Sequence, residues 1–260
     1  MMGIWGVLIP SWGALAVIMF LAWIWQLRTN IANAVDALWA LGFTLVAGAA
    51  VWSGIPGAHG PRIWLVFGMV AVWSLRLSFH LFRDRVWKVD REDARYASLR
   101  AMIGQKGFFF MYQAQALLVV LFGIAILTAA ATDRPKLGAL DFVAVALWLV
   151  AVLGESIADG QLRAFKANPA NRGRTCAVGL WRYSRHPNYF FEWMQWWAYV
   201  IIGISGRQGV LTLLGPALMF LFLRYLTGVR PSELASLKSR PDYAEYQRRT
   251  NMFFPWVPKG

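Results

Sequence analysis

The residues best suited to chemistry lie in a short basic stretch that leads directly into an apolar helix. The stretch reads Gly179-Leu-Trp-Arg-Tyr-Ser-Arg-His-Pro-Asn-Tyr-Phe-Phe-Glu-Trp193, and we call its first eight residues, Gly179–His186, the basic hinge. Arg182, Arg185 and His186 bring cations to the start of the helix. The free N–H groups and the dipole of a helix start also attract anions. The basic hinge therefore predicts a site for a phosphate-bearing cofactor at the membrane surface.

Two polar residues follow inside this helix. Asn188 and Glu192 are four residues apart, so they share one helix face. The plain alternative for the hinge is a positively charged loop on the cytoplasmic side of a span. An ionisable group inside an apolar helix is costly and usually functional, so Glu192 favours the interpretation as a binding site.

Four charged residues form a second candidate site on the preceding helix. They recur at i, i+4, i+8 and i+11 and therefore lie on one helix face: Glu155, Asp159, Arg163 and Lys166. Salt bridges within this stripe are the alternative interpretation. A ribose hydroxyl binds well to a carboxylate, and phosphate groups bind to Arg and Lys. The two sites together predict a nucleotide held between the stripe and the basic hinge.

Proton transfer has three candidate residues. Asp36 lies near the start of a predicted span, where it either forms an ion pair with Arg76 or acts as an acid. Tyr96 lies in the mixed-charge loop Arg83–Lys106, which we expect to be solvated and to close over a cofactor as a lid. With Glu192 as the third candidate, catalysis is assigned to Asp36, Tyr96 or Glu192.

Several kinds of site are excluded by what the sequence lacks. The single cysteine, Cys176, rules out an intramolecular disulfide and a multi-cysteine metal site. No Gly-x-Gly-x-x-Gly, Walker or His-Glu-x-x-His motif occurs, and no metal is predicted. The net charge of +13 has no basic soluble module to carry it, so we expect no nucleic acid partner. Basic loops that face anionic lipid or an anionic cofactor explain the charge better.

The composition places these sites in a membrane protein. Of the 260 residues, 58% are hydrophobic and only 15% are charged. We predict an all-α polytopic membrane protein, a seven-transmembrane-helix bundle with cytoplasmic loops and a short helical C-terminal tail. Residues 1–260 are expected to form a single integral membrane domain. The predicted spans are Ile4–Trp25, Val35–Trp52, Ile63–Leu81, Gly107–Ala129, Leu140–Ile157, Tyr189–Ile204 and Val210–Leu226.

The basic residues are divided very unevenly between the two sides of the predicted bundle. Of the 26 Lys and Arg residues, 21 fall in the first, third and fifth connections and the tail. The other side holds Arg62, Arg134, Lys136 and Arg207. Because cytoplasmic loops carry an excess of Lys and Arg, this bias predicts an N-terminus outside and a cytoplasmic C-terminus. We expect a membrane of the bacterial inner type.

Three segments resemble the steroid 5α-reductase family, and in particular its bacterial branch of unknown function. They are Leu180–Trp193, the Glu-Asp-x-Arg-Tyr of Glu92–Tyr96, and the ending Tyr243-x-x-Tyr-x-x-Arg-Thr-x-x-Phe-Phe-Pro-Trp256. The resemblance extends over most of the chain and is most specific from Glu155 onward. It implies a seven-helix membrane reductase that uses NADPH to reduce a C=C bond conjugated to a ketone in a lipophilic, steroid-like or isoprenoid substrate.

The same resemblance implies roles for individual positions. Glu155 and Asp159 would hold the nucleotide, and Asn188 and Glu192 would lie beside the nicotinamide. Basic residues around the hinge and the Tyr/Arg segment of the tail would complete and close the site. The full set of predicted cofactor-binding residues is Glu155, Asp159, Arg163, Lys166, Arg174, Arg182, Tyr183, Arg185, His186, Asn188, Arg224, Tyr243, Tyr246 and Arg249.

Two other functions stay open from the sequence. Arg185-His186-Pro187 before a membrane helix, together with Ser232-Glu233 in the tail, also resembles the isoprenylcysteine carboxyl methyltransferases, which implies S-adenosylmethionine as the cofactor. A lipid-binding scaffold that binds no nucleotide is the third hypothesis. The expected partners of the reductase are a lipophilic small molecule from the bilayer and membrane lipids, and the sequence makes no prediction of the oligomeric state.

Overall fold

The computed structural model describes residues 3–55, 60–87, 91–132, 134, 136–226 and 228–259. Over these residues the chain is helical and has no strand, which confirms the all-α prediction. The α-helices are α1 Trp5–Thr29, α2 Ala34–Ser53, α3 Pro61–Arg85, α4 Ala94–Ala130, α5 Ala139–Ala167, α6 Pro187–Gly203, α7 Leu214–Leu221, α8 Val229–Ser239 and α9 Tyr243–Arg249. Short 3₁₀ turns cover Pro169–Asn171, Gly179–Arg182 and Gly209–Leu213, and Phe222–Leu226 is π-helical.

Six helical segments within the described residues are long and apolar enough to cross a membrane. Helices α1 to α5 are five of them, and they correspond to the first five predicted spans. The sixth predicted span, Tyr189–Ile204, corresponds to α6, which has only 17 residues and is short for a full crossing. The chain is therefore an integral membrane protein by the character of its helices, and the count of seven spans stays a prediction.

The predicted seventh span, Val210–Leu226, is not one regular α-helix. It begins as a 3₁₀ turn, continues as α7 and ends as a π-helical turn, and the wider segment Gly209–Ser239 is the sixth candidate span. Pro216 lies in the first turn of α7 and has no N–H to bond the carbonyl of Thr212. This missing hydrogen bond explains why the helix type changes at the start of α7.

The chain divides into two compact units, and each is described by itself. The first unit comprises Met1–Asp141 and Tyr199–Leu214, and the second comprises Phe142–Ala198 and Gly215–Gly260. The second unit contains the basic hinge, the stripe on α5 and the tail. The first unit contains Asp36 and Tyr96. The single integral membrane domain expected from the sequence stays a prediction.

In the first unit, α2 packs against α3 and α1 packs against α4. Gly42 allows α2 to approach α1 and α4 closely. A Cβ atom added there would lie 3.1 Å from the side chains of both Leu15 and Val119. The fully buried aromatic rings of Phe43 and Trp73 are 5.1 Å apart and fill the space between α2 and α3. These contacts give the unit a closely packed apolar interior.

The expected solvated loop Arg83–Lys106 is largely helical. Helix α3 continues to Arg85, and α4 begins at Ala94, where the Asp93 side chain caps the helix by accepting from the N–H of Arg95 at 2.9 Å. Asn33 anchors the short connection, since its Nδ2 donates to the carbonyl oxygens of Arg85 and Arg91 at 2.9 and 3.0 Å. Three residues of the predicted loop, Lys88, Val89 and Asp90, lie outside the described residues.

In the second unit, the end of the tail packs on α6 through aromatic rings. The ring of Phe253 lies 6.2 Å from Phe190 and 6.0 Å from Trp193, and the ring of Phe254 lies 5.6 Å from Trp193. Trp193 also donates from its indole N–H to the carbonyl of Pro216 at 3.1 Å. The predicted aromatic end of the tail is thus tied to the helix that follows the basic hinge.

A buried ion pair holds the first unit at the start of α3. Arg62 and Asp141 are 2% and 1% exposed, and two guanidinium nitrogens of Arg62 donate to the carboxylate at 2.9 and 2.8 Å. The same guanidinium donates to the carbonyls of Arg134 and Lys136. The charge is therefore compensated by a carboxylate and two backbone oxygens, as burial in an apolar region requires.

We expect Arg62→Met to lower the free energy of unfolding by about 3 kcal/mol, because it leaves the buried Asp141 carboxylate with only the N–H of Gly138 at 2.8 Å and the guanidinium of Arg134 at 3.9 Å. Denaturant titration of the protein in detergent micelles measures this change. Arg207→Met is the matched control, because Arg207 is exposed and its loss should have little effect. The double variant Arg62→Met/Asp141→Asn should recover part of the loss. Equal stability of the Arg62 and Arg207 variants would contradict the assignment.

Candidate functional site

The basic hinge is shaped by its packing on α5. Gly179 has a positive φ of 57°, and a side chain there would collide with Gln161, so glycine is required at this position. Gln161 accepts from the N–H of Leu180 at 2.8 Å, and the indole of Trp181 donates to the carbonyl of Ala158 at 2.9 Å. These contacts set the start of α6 against the C-terminal half of α5.

The two sequence-predicted sites meet in one hydrogen bond. Asn188 donates from Nδ2 to Oδ1 of Asp159 at 3.1 Å, although the two residues are 29 positions apart in the chain. Asp159 is buried and Asn188 is partly buried. The stripe and the first turn of α6 are therefore adjacent, and their joint role as a nucleotide site stays a prediction.

Helices α5 and α6 run against each other as a close antiparallel pair at this site. A Cβ atom added at Gly154 would lie 2.5 Å from the ring of Phe191, so the helices touch where Gly154 has no side chain. One turn further along the pair from Asn188 and Asp159 lie Glu192 and Glu155. Both are buried, with 7% and 4% of their surface exposed. The pairing therefore brings two acidic side chains to the same level of the helix pair.

Arg185 is directed at the tail. Its Nε donates to Oε1 of Glu233 at 2.6 Å, and its Nη1 donates to the carbonyls of Gln247 and Thr250 at 2.9 and 2.8 Å. Its backbone N–H also bonds the carbonyl of Asn251 at 2.8 Å. The guanidinium of Arg185 thus holds the tail on the hinge, and its predicted contact with a cofactor stays a prediction.

His186 shares the same acidic partner. Its Nε2 lies 3.3 Å from Oε1 of Glu233, and its ring stacks on Tyr189 with 5.3 Å between the ring centres. Burial lowers the pKa of His186 below its usual value, and the hydrogen bond to Glu233 opposes this shift only in part. The imidazole is therefore neutral at neutral pH and does not add to the positive charge of the hinge.

The predicted tyrosines of the tail seal this region. The hydroxyl of Tyr246 donates toward the carbonyls of Trp181 and Ser184, the latter at 3.2 Å, and the Tyr246 side chain is buried. Tyr243 is also buried, and this burial raises its pKa to about 12. Arg249 lies exposed and forms an ion pair with Glu245 at 2.6 Å. Of these three residues, Tyr246 is the one that bonds to the hinge.

A strongly basic pocket lies at the end of the stripe. It encloses about 130 Å³ and is lined by four cationic side chains, with no acidic side chain among the described residues of its wall. The cations are Lys166, Arg172, Arg174 and Arg240. The sequence had predicted Lys166 and Arg174. A pocket with this charge is suited to bind phosphate or another anion.

The loop before the hinge and the tail build this pocket together. Asn168 caps the turn Pro169–Asn171 by accepting from the N–H of Ala170 at 3.0 Å. Further along, the N–H and the hydroxyl of Thr175 donate to the carboxylate of Asp242 at 2.9 and 2.6 Å. This attachment brings Arg240, two residues before Asp242, to the wall of the pocket. In the sequence, Arg172 is one of several basic loop residues. Nothing in the sequence indicates that Arg240 lines this pocket.

The remaining predicted cofactor residues lie around these features. Arg163 is exposed on α5, and Arg182 and Tyr183 are exposed on the hinge. Arg224 lies in the π-helical turn, with its guanidinium 4.9 Å from the ring centre of Tyr225. Their roles in cofactor binding stay predictions.

Asp36 and Tyr96 come together in the first unit. The hydroxyl of Tyr96 donates to one oxygen of the Asp36 carboxylate, and Arg85 and Arg95 bind the other, Arg95 at 3.1 Å. Asp36 is therefore paired with Arg85 and Arg95, because the chain after α3 folds back over the start of α2. Two of the three candidate proton donors thus form one cluster with two cations.

Comparisons with known proteins give the family of the chain. Residues 22–250 match the model of a family described as "Protein of unknown function (DUF1295)", and the chain belongs to that family. A protein of Schizosaccharomyces pombe, "Uncharacterized protein C594.04c", is 24% identical over 252 residues, which cover 87% of this chain and 73% of that protein. No solved structure matches the chain.

The lowered pKa of His186 predicts a pH dependence of stability. As the pH falls below about 6.5, the unfolded chain takes up a proton at His186 before the folded chain does, so the free energy of unfolding should decrease. Denaturant titrations between about pH 7.5 and 5.5 measure this slope. His186→Gln should make the slope shallower, whereas an unchanged slope in that variant would contradict the assignment.

Proposed function

We propose that this member of the DUF1295 family is a membrane reductase that binds NADPH and reduces a C=C bond conjugated to a ketone in a lipophilic substrate. The observation that supports this proposal most is the hydrogen bond between Asn188 and Asp159, which joins the two predicted nucleotide-binding segments. The resemblance of Leu180–Trp193 and of the tail to the steroid 5α-reductases supplies the reaction type.

The basic pocket is the proposed site of the phosphate end of the cofactor. Lys166 follows Asp159 by seven residues, so the two lie on the same face of α5 and roughly 10 Å apart along its axis. An extended dinucleotide that follows this face would place a phosphate among the four cations and a ribose or nicotinamide near Asp159 and Asn188. The charge of the pocket favours NADPH over NADH, since NADPH carries the additional phosphate.

In this proposal, α6 supplies both the residue that binds the nicotinamide and the residue that donates the proton. The nicotinamide would lie near Asn188, whose amide can bind a carboxamide or a ribose hydroxyl. NADPH supplies a hydride to the β-carbon of the enone, and a proton goes to the α-carbon. Glu192 is the proposed proton donor because it lies one turn from Asn188 on α6. Asp36 and Tyr96, which are bonded to each other, are the alternative donors.

A methyltransferase that uses S-adenosylmethionine is the second candidate function. Arg185 and His186 both contact Glu233 of the tail helix, the three residues that suggested the isoprenylcysteine carboxyl methyltransferases. The pocket of four cations favours the reductase, because NADPH carries phosphate groups, whereas S-adenosylmethionine has no phosphate and a net positive charge.

We expect calorimetry on the purified protein to show NADPH binding and weaker NADH binding. Arg174→Ala and Arg240→Ala should each weaken NADPH binding by about tenfold, because each removes a charge-assisted contact to phosphate. Lys238→Ala is the matched control, since Lys238 is an exposed cation of the tail outside the pocket. Binding of S-adenosylmethionine without binding of NADPH would replace the reductase by the methyltransferase.

Asp159 and Asn188 allow a sharper test of the shared site. Asp159→Ala and Asn188→Ala should each weaken NADPH binding, and the double variant should lose less than the sum of the two, because the side chains are bonded to each other. Strict additivity, or binding unchanged in both single variants, would contradict the proposed position of the cofactor.

We also propose that the basic hinge and the tail face the cytoplasm, with the N-terminus outside. In a Cys176→Ala background, a membrane-impermeant maleimide should label Arg207→Cys in intact cells. Lys259→Cys should be labelled only after the membrane is permeabilised. Both positions are exposed, so access depends on the side of the membrane alone. The reverse labelling pattern would overturn the orientation.

A further inference from the structure

The side chain of Gln195 is a fully buried amide that makes no hydrogen bond to the described residues. It lies on α6 with 0% of its surface exposed, and neither Nε2 nor Oε1 has a partner in the described chain. Nearly all buried polar side chains in folded proteins are hydrogen-bonded. A Gln side chain offers two N–H donors and an acceptor oxygen. Such a group in an apolar helix therefore calls for a ligand that bonds to it.

The position of Gln195 continues the polar face of α6. It follows Asn188 by seven residues and Glu192 by three, so the three side chains lie on one side of the helix. The contacts of Asn188 with Asp159 and of Phe191 with Gly154 define the antiparallel pairing with α5. Gln195 accordingly lies one turn deeper in the apolar part of the helix pair than Glu192.

Trp148 gives a second observation on the facing helix. Its indole Nε1 is buried and has no hydrogen-bond partner in the part of the chain that the structure describes. Trp148 precedes Glu155 by seven residues, so it lies on the same face of α5, toward the same end of the pair as Gln195 and about one turn beyond it. An indole N–H can only donate. A ligand that satisfies both side chains must therefore offer an acceptor oxygen in apolar surroundings.

We propose that Gln195 and Trp148 bind the carbonyl oxygen of the lipophilic substrate. The reaction assigned to this contact rests on the proposed function, whereas the binding of the carbonyl does not. NADPH bound beside Asn188 would supply a hydride to the β-carbon, and the C=C electron pair would then move toward the oxygen as an enolate. N–H donors from Gln195 and Trp148 stabilise the negative charge on that oxygen. A proton from Glu192 then bonds to the α-carbon, which leaves the saturated ketone and NADP⁺.

Measuring the stability of two glutamine variants tests whether Gln195 contacts a ligand or stabilises the fold. Gln195→Met keeps the length of the side chain and loses no hydrogen bond within the chain, so its melting temperature in detergent should equal or exceed that of the unchanged protein. Gln161→Met is the matched control, because Gln161 accepts from Leu180 at 2.8 Å and its loss should lower the melting temperature. An equal drop in both variants would overturn the proposal.

Ligand retention tests the carbonyl contact directly. The full-length protein in nanodiscs is offered tritiated cholestenone, progesterone and a polyprenyl enone, each against its analogue without the ketone. The unchanged protein should retain at least one ketone better than its analogue. Gln195→Met and Trp148→Phe should reduce this preference by about tenfold, which matches the loss of one hydrogen bond to the ligand. Equal retention of every pair, or an unchanged preference in both variants, would overturn the proposal.

Binding of NADPH, measured on the same samples, keeps the two proposals apart. If the ketone preference is present and depends on Gln195 but NADPH does not bind, the reductase is wrong and the carbonyl site stands. If NADPH binds and no ketone preference exists, the carbonyl site is wrong and the cofactor site stands. Weaker NADPH binding in Gln195→Met, with no change in ketone retention, would also overturn the assignment of Gln195 to the substrate.

Discussion

The hydrogen bond from Asn188 to Asp159 joins the end of one apolar helix to the start of another, and the proposed site depends on it. Both side chains are polar groups in largely apolar surroundings, where a missing partner is costly. The bond sets the pairing of α5 with α6, together with the close approach at Gly154. This pairing fixes the positions of the polar residues further along the two helices, namely Glu155, Glu192 and Gln195.

The tail acts as the structural clamp of this region. Glu233 binds both Arg185 and His186, and Tyr246 reaches the carbonyls of the hinge. Glu233 thereby partly neutralises the charge of Arg185, whereas the cations of the basic pocket come from α5, the loop before the hinge and the tail. The attachment of Asp242 to Thr175 completes that pocket by bringing in Arg240. The tail thus decides which cations are available for an anionic ligand.

The polar groups of the second unit follow a gradient along the helix pair. Four cations lie at its outer end, an amide and a carboxylate follow, two buried acidic side chains lie one turn deeper, and Gln195 and Trp148 lie beyond them. Such an order suits a ligand pair in which the cofactor enters with its phosphates outermost and an apolar substrate meets it from the lipid side. Charged side chains lie at the exposed end of the pair, and the side chains further along it are buried, where electrostatic interactions are stronger.

Helix content, membrane character and the residues of the main contact could be read from the sequence, because apolar runs and i, i+4 spacing follow from helix geometry alone. Asp159 and Asn188 were both predicted, and so were Lys166 and Arg174 of the pocket. The tertiary structure alone decided that Arg185 binds the tail, that Arg240 lines the pocket and that Asp36 pairs with Arg85 and Arg95. These outcomes depend on which segments meet in space, and local spacing carries no information about partners that are many residues away.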